Sequence, residues 1–171
     1  PFIPLNDTDS GIPAGFFEFD VTNTSDKTIT YTICGVLESP FSQSRNTAGC
    51  TENGAAYIYM DNSTPLSRDK DGNMCISTDG QNISFQEYLF RGSWFDSLKM
   101  FWNDFTLGTV FNNRSYEDKT VPNCCSVLAS HFTLAASETK TVKFLISWYF
   151  PYSSNYYTPI PREENESDED F

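Results

Sequence analysis

The stretch ETKTVKFLISWYFP, residues 138–151, decides the fold class. Val142, Phe144, Ile146, Trp148 and Phe150 fall on one side of an extended backbone, and Lys143, Ser147 and Tyr149 are among those on the other. Alternation of period two over this length predicts a strand with one face in a core. Pro151 has no backbone donor and stops the strand.

Working outward, residues 125–134 read as the preceding strand, with Ala135-Ala136-Ser137 as its turn. At the other end of the chain, residues 2–13 read as a lead-in containing the turn cluster Asn6 to Gly11. A strand follows at 14–22, with Phe17, Phe19 and Val21 on one face. Asn23 to Asp26 is turn chemistry, and 27–37 alternates again, so the two segments predict a β-hairpin. Residues 39–54 are polar and punctuated by Gly and Pro, and read as a loop; 55–60 is a short strand. Residues 67–73 read as a turn, and 74–78 with 82–88 as a second hairpin around Asp79-Gly80. The period then changes. Ser93 and Asp96 are spaced as a capping box, and Phe95, Leu98, Phe101, Trp102 and Phe105 recur every three or four residues, predicting a short aromatic helix over 94–105. Residues 107–123 read as a loop with room for one edge strand. The chain closes on an acidic run, 163–170, read as a solvated tail or linker. The fold class expected is all-β: an antiparallel sandwich of two packed sheets with one helix.

The 171 residues suit one domain with a sizeable core, and 16% aromatics together with abundant Thr and Ser favour strands. A net charge of −12 argues against nucleic acid and against an anionic membrane surface. No apolar run approaches the length of a membrane span. Cys34, Cys50, Cys75, Cys124 and Cys125 are odd in number and irregular in spacing, so they predict free thiols in a reducing compartment, which points weakly to the cytoplasm. Glycosylation sequons at Asn6, Asn23, Asn62, Asn82, Asn113 and Asn165 carry little weight in a chain this rich in Asn, Ser and Thr. The opening Pro1-Phe2-Ile3-Pro4 reads as the middle of something longer and assigns no compartment.

Candidates for chemistry are few. His131 is the only histidine, and it falls away from the Leu128/Phe132/Leu134 face, which predicts a surface or edge position. Residues 67–73 look superficially like a calcium loop, but an EF-hand needs Asp first and Glu twelfth, where Ser67 and Thr78 stand. The acidic residues fall mostly in turns and the tail, so no catalytic pair is expected within the chain. Trp94, Trp102 and Trp148 could stack on sugars, but core or interdomain packing is the expectation. No catalytic, cofactor-binding or metal-binding residue is assigned.

Three stretches carry a resemblance. LAASETKTVKFLISWYFP looks like the last strand of the N-terminal β-sandwich domain of glycoside hydrolase family 116, the family of non-lysosomal glucosylceramidases and bacterial β-glucosidases. PFIPLNDTDSGIPAGFFEFDVTNTSDKTITYTI is similar to the line that opens that domain, and WFDSLKMFWNDF to its short aromatic helix. The resemblance is strongest at both ends and in the helix, and weak over 39–73. The family's usual glycine-rich N-terminal line is absent. The resemblance implies a domain over 1–158, with 159–171 leading toward a separate (α/α) barrel that carries the nucleophile and acid/base carboxylates of a retaining hydrolase. Nothing in this sequence matches those motifs, so the chain by itself is expected to be non-catalytic. Its partner would be the catalytic domain of the same polypeptide, and through the parent enzyme a carbohydrate. Trp94, Phe101, Trp102, Phe105, Tyr149, Tyr152, Tyr156 and Tyr157 are the candidate interdomain contact. Two alternatives stay open: an independent carbohydrate-binding module, which needs aromatic rings in a solvent-exposed row, and a surface interaction domain with an immunoglobulin-like sandwich.

Overall fold

The structure, a computed structural model, describes residues 3–41, 43–62, 71–92, 96–108, 110–117, 120–121 and 124–152. Its framework is a pair of antiparallel sheets of unequal width. The larger has six strands. β1 (Ala14–Thr22) pairs with β9 (Thr139–Tyr149), and β5 (Asn73–Thr78), β4 (Ala56–Asn62), β3 (Ser44–Cys50) and the two-residue β7 (Thr120–Val121) follow in that order. The smaller sheet has three strands, β2 (Ile29–Glu38), β8 (Cys125–Leu134) and β6 (Ile83–Gln86), with β8 in the centre. The last strand is therefore internal to the large sheet, as its alternation requires. Phe17 faces Phe144, and Ile76 faces Ile146 across its two flanks. Ile58, Met60, Ile76, Val142 and Phe144 of the large sheet meet Leu128, Phe132 and Leu134 of the small one, forming the main core.

Neither expected hairpin forms. β1 and β2 lie in different sheets, as do β5 and β6. Alternation and turn chemistry are the same whether a strand turns back on its neighbour or crosses to the facing sheet; what decides is which pairing buries both apolar faces. At the first crossing Asn23 is fully buried and donates from Nδ2 to the carbonyls of Lys27 (2.7 Å), Leu134 (3.0 Å) and Ala135 (3.0 Å). Its own amide reaches Glu138 O at 2.9 Å, and its carbonyl accepts from Ser137 N at 2.9 Å. One side chain thus knots the β1–β2 and β8–β9 crossings together. At Asp79-Gly80 a Cβ on the glycine would overlap Ser130 Oγ, so the chain passes too close to β8 for any side chain.

Residues 39–54 contain β3, a strand in place of the expected loop. Its inward residues, Ser44 and Asn46, enter a polar end of the interior. Asn46 Nδ2 donates to Glu87 O (2.9 Å) and Ser126 Oγ (2.8 Å), while Ser39 Oγ donates to Ser44 Oγ at 2.7 Å. The buried Tyr88 hydroxyl accepts from Asn46 N at 2.7 Å, and burial pushes its pKa up. The lead-in holds one helical turn, α1 (Asp7–Ser10), capped by Asn6 accepting from Asp9 N at 3.0 Å.

α2 (Asp96–Thr106) is the expected helix; it ends one residue later than expected, and residues 94 and 95 lie outside the described residues. Its buried Phe101 joins Phe111, Val127 and Ala129 in a second core on the outer side of the small sheet, with Cys34, Leu89 and Phe105 around it. That layer explains His131. It stands on the outer side of β8, as the alternation says, but is 2% exposed beneath the edge-on ring of Phe111 at 5.4 Å. The surface or edge position expected for it is overturned, because the helix and the segment after it cover that side.

The capping box at Ser93, most of the 67–73 turn, and the acidic run 163–170 lie outside the described residues. All five cysteines are unbridged, and burial raises the Cys34 thiol to about 12.

Candidate functional site

Three surfaces remain uncovered by the two cores. The first follows from unequal sheet width. With strands about 4.8 Å apart, three strands cannot shelter six. β1 is the edge strand that overhangs. Phe17 and Phe19 point toward the small sheet's side, yet each stays 45% exposed; among the described residues only Phe19 finds a partner ring, edge-on to Phe144 at 6.4 Å. Phe16, on the other face of the same strand, is 77% exposed.

The second surface is the outward side of α2. Phe101 is inside, and Phe105 stacks on it at 5.7 Å, half-buried. Trp102 lies against Phe105 at 5.9 Å and projects into solvent together with Leu98. Asp104 pairs with Arg114 at 3.6 Å, tying the helix to the segment that covers β6.

The third is the outer face of the large sheet. Register places Arg45, Thr47 and Gly49 of β3 beside Asp61, Tyr59 and Tyr57 of β4, and these beside Asn73, Cys75 and Ser77 of β5. Tyr149 of β9 stands next to Asn73. Two shallow depressions of about 480 and 280 Å³ share Arg45, Tyr59 and Asp61 as lining. Arg45 grips Asp61 with both arms of its guanidinium, Nε at 3.0 Å and Nη2 at 2.6 Å, and this bond raises the arginine's pKa. Burial, and then the Asp61 charge, raise the Tyr59 phenol, which therefore stays neutral.

A family model described as "beta-glucosidase 2, glycosyl-hydrolase family 116 N-term" matches residues 1–158. The chain belongs to this family. It is the N-terminal domain of a family 116 glycoside hydrolase, a position that implies a catalytic domain in the same polypeptide. No curated protein matches the chain.

The family 116 contact expected from sequence is divided by the structure. Trp102 and Tyr149 both reach solvent, but on different layers: one over the small sheet, the other on the outer face of the large one. Tyr152 is exposed just beyond β9, whereas Phe101 is a core residue. Trp94, Tyr156 and Tyr157 lie outside the described residues. Trp148, expected in packing, sits at the end of the sandwich, 38% exposed, with its amide on Pro13 O at 3.0 Å. Sequence reasoning missed the phenylalanine overhang and the Arg45–Asp61 face. Tyr57 and Tyr59, alternating with Ile58 and Met60, were the available signal for the latter.

Proposed function

We propose that this domain buttresses a catalytic domain of the same polypeptide, an (α/α) barrel hydrolysing β-glycosides with retention through two carboxylates of its own. The family assignment supports the parent activity. The observation that carries the buttress is the β1 overhang, because a sheet edge with three uncovered phenylalanines gains from a partner. Covering the exposed part of each ring is worth on the order of 1 kcal/mol. Trp102, backed by Phe105, and Tyr152 form the rest of the proposed contact.

The test compares the 171-residue chain with the full-length gene product on an aryl β-glucoside. The full-length protein hydrolyses it and the chain does not; turnover by the chain itself overturns the reading. Phe16→Ser with Phe17→Ser, leaving Phe19 on Phe144, should lower the temperature at which the full-length enzyme loses activity by several degrees, for about 1–2 kcal/mol lost. In the isolated chain, where the exposed part of each ring is already in water, the same pair should cost only what the half-buried Phe17 loses opposite Phe144, and a drop as large as in the full-length protein overturns the overhang as the contact.

A further inference from the structure

We infer that the outer face of the six-stranded sheet binds an extended, uncharged oligosaccharide with equatorial β-linkages. This site shares no residue with the β1 overhang or α2, although Phe16 lies on the same outer face, level with Tyr57 and three strands away, and it does not rest on the buttress reading. Tyr59 and Tyr149 sit on β4 and β9 with β5 between them, two strands across and two residues along, roughly 12 Å apart, a span that two to three rings of an extended β-linked chain can bridge. Both rings are open to solvent. Tyr57 is laid down rather than projecting: its phenol end lies over Gly49, where a Cβ would come within 2.5 Å of the ring. A ring held against the sheet offers its free face to the C–H face of a hexose.

Beside these rings the Arg45–Asp61 fork supplies the polar half of the site. The two side chains hold each other in place, and the guanidinium and carboxylate both line both depressions. Vicinal hydroxyls donate and accept at once, so they match a donor and an acceptor fixed side by side. Asn73 and Asp71 extend the polar lining toward Tyr149. An anionic ligand would meet Asp61 and Asp71 in a chain of net charge −12. An apolar partner would strip water from the Arg45–Asp61 ion pair and leave the guanidinium's remaining donors without acceptors. A neutral polyol satisfies both requirements.

Isothermal titration of the chain with cellohexaose, with maltohexaose as the α-linked control, tests the site. Saturable binding of cellohexaose is expected, weakened about tenfold or more by Tyr59→Ala and by Gly49→Val, which displaces Tyr57 without removing it. Tyr59→Phe keeps the ring and should bind; Trp102→Ala should bind as the parent does. Absence of binding, or binding that Tyr59→Ala leaves intact, overturns the proposal. Hydroxyl-radical footprinting of the full-length protein completes it: Tyr59 protected before sugar is added would assign this face to the neighbouring domain instead and overturn the site.

Discussion

His131 is held neutral by its neighbours. Ser84 Oγ donates to Phe111 O at 2.8 Å, so it accepts from His131 Nε2 at 2.9 Å, which leaves Nδ1 to accept from Thr32 Oγ1 at 2.8 Å. Burial lowers its pKa below the usual 6.5. The folded state then binds fewer protons than the unfolded chain as the solution is acidified. Stability is complete above 6.5 and falls as pH drops from 6.5 toward the lower folded value. Urea midpoints of the parent chain should decline over that window, and those of His131→Gln should decline less. Equal slopes would mean that other groups set the acid limit. At this scale the sequence was least legible. Alternation placed His131 on the outer side of β8 correctly, but nothing in a period of two says that a helix will be laid over that side.

Elements were more legible than their connections. β8, β9 and β1 stand within a residue or two of their expected limits, as does the C-terminal end of α2, because long runs with one apolar face admit few registers. β3 was missed because its inward residues are Ser44, Asn46 and Ala48, and a polar network leaves no apolar alternation to read. The hairpins failed at Asn23 and Gly80, where the chain changes sheets. Asn23→Ala removes the donor to three carbonyls at once. It should lower stability by about 2–4 kcal/mol, read as a drop in urea midpoint at constant slope. A loss below about 0.5 kcal/mol would show that water replaces the side chain and that the crossings hold without it. The sequon at Asn23 is closed to a glycan in the folded chain, since its Nδ2 is fully engaged.

For the whole molecule, the sandwich was legible and its asymmetry was not. Counting strands did not say that they divide six and three, and the uncovered phenylalanines follow from that division. The candidate surfaces share this origin. Tyr149 and Trp102 were both expected at one contact, yet the layering puts them on different faces, because sequence distance from a helix or a strand end does not encode which layer covers which. The pairing of the first strand with the last also sets a schedule for synthesis. Thr22 and Thr139, joined through their hydroxyls at 2.8 Å, are 117 positions apart. At roughly 5–20 residues per second the ribosome takes on the order of ten seconds to deliver the partner. During that interval Phe16, Phe17 and Phe19 have neither a neighbouring strand nor a core. Nascent chains arrested before β9 has emerged should be cut within β1 by a protease, and chains arrested after it should resist. Until the last strand arrives, the first is a client for whatever shields apolar segments at the tunnel exit.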